Sequence, residues 1–288
     1  MDVNSFFNLF LEELKSNEGL WSYYKYHTDT KSLAFRKAYF CQRLQYIVDH
    51  ITRNDSITWD LGCGYGTTAI FLALNGFKIH GTTLEFYYNE IPARMKYWSQ
   101  FGDVSGFTFD YEDLFEPSAP RSVFDYIIVQ DTLHHLEPIQ EALQILHDHL
   151  KPDGEMIVIE ENGKNIIQSI KLYKQRGNKR IIEFYDERLK KTILLGNENI
   201  RSLNKWKEVM KAQGLMINDQ SVEYIRAYPP GLFNKYGYAK AIEKEQKLWR
   251  SNRIARDYFF FGINFIATRA SISKINNSKS VQQEKMIV

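Results

Sequence analysis

The 288-residue chain has few cysteines and no long apolar run. Its two cysteines, Cys41 and Cys63, show neither the paired spacing of a metal site nor a disulfide framework, as is usual in a reducing compartment. No stretch approaches the roughly 20 apolar residues of a membrane span, and the N-terminus lacks the basic and apolar segments of an export signal. We therefore expect a cytoplasmic protein without stable membrane insertion.

The chain also lacks an excess of either charge. Lysine and arginine together number 37 and the acids number 35, so the net charge is +2. This balance produces no global field that would attract nucleic acid, which is therefore not an expected partner. Hydrophobic residues make up 44% of the chain, enough for one sizeable core and a smaller appendage.

Strand-like and helix-like patterns alternate along most of the chain. Short apolar runs end at turn residues, and segments of helical length and periodicity separate them. This alternation predicts a parallel sheet with helices between its strands. The predicted strands are 56–61, 77–84, 106–109, 124–130 and 155–160.

Three further segments flank or interrupt this alternation. Apolar spacing predicts two or three helices in 1–52, which we expect to form an N-terminal helical cap on a main domain at 53–270. Within that domain, 162–198 is expected to be a helical insertion. Ser, Asn, Lys and Gln dominate 271–288, which favours a flexible tail.

The strongest chemical signal is a glycine turn between the first predicted strand and the next helix. Asp60 precedes Gly62, Gly64 and Gly66, and glycines there allow a tight turn and a ligand close to the backbone. An adenosine-bearing cofactor suits such a loop. A dinucleotide site would favour the spacing G-x-G-x-x-G, whereas this chain has G-x-G-x-G, which argues against NAD.

An acid followed by G-x-G-x-G resembles the cofactor loop of class I methyltransferases, in their small-molecule and lipid branch. The resemblance covers residues 56–160 and includes L-H-H-L at 133–136 and K-P-D-G at 151–154. It implies S-adenosylmethionine as the cofactor. It also implies an α/β fold with a doubly wound, mainly parallel sheet of seven strands, the last of them antiparallel.

The resemblance implies further cofactor contacts. At the end of the second strand Thr83 stands where an acid is usual, so we expect Thr83 or Glu85 to bind the ribose hydroxyls, unless Glu85 is a solvated carboxylate at a helix start. After the third strand, Asp113 beside Leu114 matches the position that contacts adenine. Gln130 ends the fourth strand at the edge that faces the ligand, and it is also assigned to the cofactor.

Candidate catalytic residues follow the fourth and fifth strands. Methyl transfer from a sulfonium is an in-line displacement that needs no protein nucleophile and no metal, so no metal site is predicted and alignment in a dry site supplies most of the acceleration. An acceptor hydroxyl or acidic carbon would need a base, for which His134, His135, Glu160 and Glu161 are candidates. Either histidine could instead be a hydrogen-bonded core residue.

Two segments are candidates for contact with the acceptor. The aromatic stretch 21–27 contains Trp21, Tyr24 and Tyr26, which could form a lid over the acceptor or pack between helices. Residues 162–195 hold nine Lys or Arg against three acids. That charge would suit an anionic acceptor or carrier, although a solvated helical face, the more usual reason for such a run, explains the same charges.

Together these features predict methyl transfer from S-adenosylmethionine to a small-molecule or lipid-like acceptor, at oxygen, nitrogen or carbon. A catalytically silent subunit that binds S-adenosylmethionine is the alternative, because a cofactor loop indicates a pocket and not turnover. An NAD-dependent enzyme is a third hypothesis.

Overall fold

The computed structural model describes residues 1–24, 32–53, 55–84 and 87–270. The strands are β1 (Ile57–Leu61), β2 (Lys78–Thr83), β3 (Phe107–Tyr111), β4 (Phe124–Gln130), β5 (Leu150–Glu161), β6 (Ile181–Asp186), β7 (Lys191–Gly196), β8 (Leu215–Ile217), β9 (Glu223–Ile225) and β10 (Gly262–Arg269). The helices are α1 (Val3–Ser16), α2 (Glu18–Tyr24), α3 (Leu33–His50), α4 (Thr67–Leu74), α5 (Tyr87–Trp98), α6 (Ile139–His149), α7 (Ile166–Arg176), α8 (Leu203–Ala212), α9 (Pro230–Tyr236), α10 (Tyr238–Ser251) and α11 (Arg253–Phe259).

Strands β1 to β5 form the parallel part of the central sheet, and β10 runs antiparallel to β5. The strand order is β3-β2-β1-β4-β5-β10-β8, and β9 also pairs with β10. This architecture confirms the predicted doubly wound, mainly parallel sheet with an antiparallel last strand. Since the order reverses between β1 and β4, a crevice opens at the carboxyl ends of these two strands.

One strand of the predicted seven is divided. The stretch before Ile225 forms the short strands β8 and β9, both antiparallel to β10. A turn at Asp219–Ser221 separates them, and the side chain of Asn218 accepts a hydrogen bond from the backbone N–H of Gln220 over 3.0 Å. This local hydrogen bond gives the N–H of Gln220 a partner within the turn, so the chain leaves the strand here.

The first helix shares the core of the sheet domain. Phe6, Phe7 and Phe10 of α1 are fully buried. The ring centroid of Phe6 lies 4.5 Å from that of Trp98 in α5 and 4.9 Å from that of Phe71 in α4. Three helices precede β1, within the predicted two or three, and α1 packs within the main core.

The segment 162–198 is not entirely helical, in contrast to the prediction. Helix α7 fills its first part, and β6 and β7 form an antiparallel hairpin in the second. The residues Ile181–Asp186 alternate between more and less exposed positions, which is the period of a strand. Because charged residues are frequent throughout this segment, the alternation of a strand could not be recognised in its sequence.

Residues 271–288, predicted to be a flexible tail, lie outside the described residues. Within the described ranges, no helix is both long enough and apolar enough to cross a membrane.

Candidate cofactor and acceptor site

A cavity of about 600 Å³ lies at the carboxyl ends of the parallel strands. The residues that line it fall into two groups, one around the glycine loop and one beyond the end of β4. The cofactor half is lined by Asp60, Gly62, Gly64, Tyr65, Thr83, Glu112, Asp113, Leu114 and Gln130. The acceptor half is lined by Phe35, Arg36, Tyr39, Arg43, Asp131, His135, Phe184, Ile193 and Arg226.

The glycine loop turns tightly between β1 and α4. Gly62 and Gly64 have φ angles of 69° and 53°, a left-handed conformation that favours glycine. A Cβ at Gly62 would lie 2.5 Å from Oγ1 of Thr132, whereas Gly64 has open space around it and lines the cavity. Gly66, at the start of α4, lies outside the cavity wall, and a Cβ there would lie 2.8 Å from the ring of Phe107.

Asp60 is buried beneath this loop and lines the cavity. Its Oδ2 atom has no hydrogen-bond partner among the described residues, and burial raises its pKa to about 7. A buried carboxyl oxygen without a partner costs free energy unless a donor reaches it. S-adenosylmethionine carries an amino group and ribose hydroxyls that can donate, so Asp60 and the open glycine loop fit this cofactor.

The ends of β2 and β3 hold the other predicted cofactor residues. Thr83 is buried and lines the cavity, and its hydroxyl donates to the carbonyl of Leu84 over 3.2 Å. Glu85, the alternative ribose contact, lies outside the described residues. Asp113 and Leu114 are buried and line the cavity after β3. The structure thus places Thr83, Asp113 and Leu114 on one wall.

Two carboxylates on this wall differ in their surroundings. Asp113 already has a cationic partner, because Nζ of Lys191 lies 2.9 Å from its Oδ2 and 2.7 Å from Oε2 of Glu116. Neighbouring Glu112 has a buried Oε1 without a partner in the described part of the chain. Glu112 is therefore a cofactor candidate that the sequence analysis missed, since an acid next to the matched one gave no separate signal.

The end of β4 separates the two halves of the cavity. Gln130 lines it and accepts a hydrogen bond from Oγ1 of Thr68 over 3.4 Å. The next residue, Asp131, has a φ of 51° and forms an ion pair with buried Arg43 of α3. A non-glycine residue at positive φ is uncommon and is often found at functional sites. Asp131 is thus another candidate that the sequence did not reveal.

Three tyrosines adjoin the glycine loop. Tyr23 of α2, Tyr65 of the loop and Tyr87 of α5 line the cavity, with ring centroids 4.8 to 5.5 Å apart. Aromatic faces attract a positively charged group, and a sulfonium is one. Only Tyr23 lies in the aromatic stretch that the sequence singled out.

The three predicted acceptor residues have different positions. Tyr24 lines the cavity, and its hydroxyl lies 2.7 Å from Oγ1 of Thr67. Trp21 packs against the main hydrophobic core and does not line the cavity, so the core interpretation holds for it. Tyr26 lies outside the described residues.

Tyr39 of α3 lies between two arginines in the acceptor half. The guanidinium carbons of Arg43 and Arg226 are 4.7 and 4.6 Å from its ring centroid. Arg226 also lies 3.8 Å from Oε1 of Glu161, and it has a φ of 64°. Arg36 adds a third guanidinium to the wall. This half therefore combines aromatic surface with positive charge.

The β6–β7 hairpin forms the opposite wall of the acceptor half. Phe184 and Ile193 pair across the two strands, and both line the cavity. The hydroxyl of Tyr111 donates to Oδ2 of Asp186 over 2.5 Å, which fixes the hairpin to the end of β3. The segment predicted as a helical insertion thus contributes to the site as a hairpin.

The two candidate catalytic histidines lie in a short turn after β4. His134 is buried, with Nδ1 2.6 Å from Oε2 of Glu160. Burial favours its neutral form, but the Glu160 carboxylate outweighs that effect and raises the pKa of His134 to about 9. His135 lines the cavity, and its Nδ1 donates to the carbonyl of Gly196 over 3.0 Å. Nε2 of His135 is thereby left with a lone pair.

Glu161 lies outside the cavity wall. Its Oε2 accepts a hydrogen bond from Gln168, and burial raises its pKa. Of the predicted catalytic residues, the structure places only His135 against the cavity.

The sequence profile of a family described as "Methyltransferase domain" matches residues 33–217, well over half of the chain. The chain belongs to this family. The methyltransferase domain spans the glycine loop, the ends of β2 to β4 and both histidines. This confirms the predicted family and, together with the fold, S-adenosylmethionine as its cofactor.

Relatives of this methyltransferase domain include named enzymes. The ubiquinone biosynthesis O-methyltransferase of Rickettsia canadensis is 29% identical over 122 residues, which cover 40% of this chain and 49% of the relative. The enzyme of the same name from Rickettsia felis is also 29% identical over 122 residues, covering 40% and 48%. The chain thus spans about half the length of the curated relatives it matches.

Solved structures share the fold of the methyltransferase domain. Geranyl diphosphate C-methyltransferase from Streptomyces coelicolor, in complex with Mg²⁺, geranyl diphosphate and S-adenosyl-L-homocysteine, is 13% identical with a TM-score of 0.58, covering 85% of this chain and 86% of that one. The YcgJ protein of Bacillus subtilis is 16% identical with a TM-score of 0.54, covering 80% and 99%. At these identities the likeness shows the fold alone.

Proposed function

We propose that this protein transfers the methyl group of S-adenosylmethionine to an oxygen atom of a small, ring-bearing acceptor that carries an anionic group. One observation carries the proposal. A single cavity is lined both by the glycine loop, which fits the cofactor, and by aromatic rings and arginines from α3, the β6–β7 hairpin and the segment after β9. A protein that only bound the cofactor would not need that additional lining.

The cofactor half supplies binding and orientation. S-adenosylmethionine, when bound, provides a methyl group activated by the positive sulfur. Asp60 and Glu112 offer carboxyl oxygens without partners in the described chain, and Gly64 leaves the loop open. Tyr65 and Tyr87 line this part of the cavity with ring centroids 4.8 Å apart, and their rings cover apolar surface there. Exclusion of water and fixed alignment are the main means by which a displacement of this kind is accelerated.

The lining of the acceptor half suits an acceptor molecule that has a ring and a negative charge. Phe35, Tyr39 and Phe184 present flat apolar surface, which suits a small ring. Arg36, Arg43 and Arg226 line the same cavity; Arg43 pairs with Asp131, and Arg226 lies 3.8 Å from Glu161. Each guanidinium has five N–H donors, so a carboxylate or phosphate on the acceptor would pair with this group of arginines in addition to the acids already present. The names of the Rickettsia relatives support oxygen as the methylated atom.

His135 is the side chain best placed to act on the acceptor hydroxyl. Its Nδ1–H donates to the carbonyl of Gly196, so the proton is on Nδ1 and the lone pair of Nε2 is at the cavity wall. If the acceptor hydroxyl donates its hydrogen bond to that lone pair, His135 can accept the proton, and a lone pair of the hydroxyl oxygen can attack the methyl group. His134, which is buried against Glu160, is outside that wall.

The test combines labelling with a matched pair of acceptors. The protein is incubated with methyl-labelled S-adenosylmethionine and fractionated extract of the source cell, and the labelled product is identified. Hydroxylated ring acids are then compared with their methyl esters. Arg226→Gln should lower kcat/KM for the acid at least tenfold and change that for the ester little. Arg121→Gln, on the surface, should change neither. Cofactor binding without label in any fraction would overturn the proposal in favour of the silent subunit.

A further inference from the structure

Three side chains of a type that binds metals converge beside the acceptor half, and one of them, His135, lines it. The ligand atoms of His134, His135 and Glu198 all lie within 4.8 Å of one another. Nε2 of His134 is 3.7 Å from Oε2 of Glu198, and Nε2 of His135 is 4.0 Å from Oε1 of the same carboxylate. Two imidazoles and one carboxylate form a ligand set that divalent transition ions accept.

The second nitrogen of each imidazole already has a hydrogen-bond partner. Nδ1 of His134 is bound to the buried carboxylate of Glu160, and Nδ1 of His135 donates to the carbonyl of Gly196. Histidines that bind metals usually donate their other ring N–H to a carboxylate or a backbone carbonyl, which fixes the ring and its tautomer. Both Nε2 atoms are thereby left on the side of Glu198.

The backbone holds the two segments of this cluster together. The N–H of Asn199 donates to the carbonyl of His134 over 3.0 Å, and the side chain of Asn199 donates to Glu137 over 2.9 Å. A Cβ at Gly196 would lie 2.4 Å from the carbonyl oxygen of His134, so only glycine allows this approach. Glu198 has a φ of 55°, a conformation rare for its type. The ligands are therefore positioned in advance by the chain.

We propose that His134, His135 and Glu198 bind one divalent transition-metal ion, and that an oxygen atom of the acceptor completes its coordination. Three protein ligands with an open position are the arrangement of a catalytic site. An ion at Nε2 of His134 takes the place of a proton there, while Nδ1 keeps its bond to Glu160. Coordination lowers the pKa of a bound hydroxyl, which then loses its proton to water.

This inference rests on the proposed function, since His135 lines the acceptor half. With the ion bound, the Nε2 lone pair of His135 coordinates the metal, and the ion activates the acceptor hydroxyl in place of the free imidazole. It departs from the sequence-based expectation that no metal is needed. Methyl transfer itself requires none, but activation of a hydroxyl is a separate task that a metal ion performs well. The competing arrangement is an ion pair without metal, in which a protonated His134 lies between Glu160 and Glu198.

The experiment measures metal binding without any acceptor. Tag-free protein is stripped with a chelator, dialysed and titrated with ZnCl₂ in a calorimeter, and bound zinc is counted by mass spectrometry. We expect one ion per chain. Glu198→Gln should weaken binding at least tenfold, and Glu160→Gln should weaken it by about 10- to 100-fold. His147→Gln is the matched control, because His147 hydrogen-bonds to Asp148 elsewhere, and it should bind like the wild type.

A second readout uses cobalt in place of zinc. Co²⁺ bound by the three side chains should give visible absorption bands that are lost in Glu198→Gln. Glu198 is half-exposed in a turn, so this variant should fold, which circular dichroism checks. Wild-type protein that retains no ion, or a Glu198→Gln protein that retains as much as the wild type, would overturn the metal site.

Methyl transfer is assayed separately, so the two proposals can fail independently. Label transfer by metal-free protein that also binds no zinc would refute the metal site and leave the proposed function standing. Zinc bound at the site without label in any acceptor fraction would support the metal site and count against the proposed function.

Discussion

Arg94 of α5 and Glu13 of α1 form a buried, two-pronged ion pair. Nε of Arg94 lies 2.8 Å from Oε1, and Nη2 lies 2.6 Å from Oε2. The remaining Nη1 donates to the carbonyl of Tyr65 and to Oγ1 of Thr67, both over 2.7 Å. The first helix is thus connected to the glycine loop through one guanidinium, so the cofactor site depends on residues far from it in sequence.

Glu13→Gln should destabilise the protein by about 3 kcal/mol, because it leaves the buried charge of Arg94 without its counterion. Urea unfolding measures the loss. Glu12→Gln, on the exposed side of the same helix, is the control and should change stability by less than about 0.5 kcal/mol. Equal unfolding midpoints for the two variants would contradict a structural role for the pair.

Gly64→Arg should weaken the binding of S-adenosylhomocysteine at least tenfold. The glycine has open space around it and lines the cavity, so the long side chain would occupy the cofactor half. Gly76→Arg is the matched control, because Gly76 also has a positive φ and open space but lies at the end of α4, outside the cavity wall. Calorimetry compares the two. Unchanged affinity in Gly64→Arg would show that the site is misplaced.

Asp60→Asn should alter how stability depends on pH. Burial raises the folded pKa of Asp60 to about 7, above its ordinary 3.8, so its contribution to stability is complete below pH 3.8 and is lost as the pH rises through 7. The loss can reach about 4 kcal/mol. Without cofactor, Asp60→Asn should therefore have a clearly higher Tm than the wild type at pH 8, a smaller advantage at pH 5 and a similar Tm near pH 3.8.

The same variant should bind the cofactor more weakly, since the carboxylate that receives a donor is gone. Asp55→Asn, an exposed carboxylate before β1, serves as control for both measurements. A Tm difference that stays constant between pH 5 and pH 8 would contradict the burial argument for Asp60.

Phe184→Ala should raise KM for the acceptor about tenfold, because loss of one apolar contact of about 1.4 kcal/mol has that effect. The affinity for S-adenosylhomocysteine should stay within about twofold. Tyr185→Ala is the control, since Tyr185 is exposed on the outer face of the hairpin. Steady-state kinetics with the identified acceptor measures KM for both variants. An equal KM for both alanine variants would exclude the hairpin as an acceptor wall.

Local sequence patterns determined much of the fold. The apolar runs that became β1, β4 and β5 are buried on both faces, so they could be recognised without knowledge of their neighbours. The glycine loop was equally clear because the backbone conformation at Gly62 and Gly64 strongly favours glycine. Where charge masked the period, as in the β6–β7 hairpin, the same reasoning predicted a helix instead of strands.

Tertiary structure alone decided the acceptor half. Tyr39 lies between Arg43, four residues away in sequence, and Arg226, which arrives from the other end of the chain. No local pattern connects such residues, because their approach results from packing α3 and the loop after β9 against the same sheet edge. The two histidines illustrate the same division. Their position after β4 was readable, but only the fold shows that His135 faces the cavity and His134 faces Glu160.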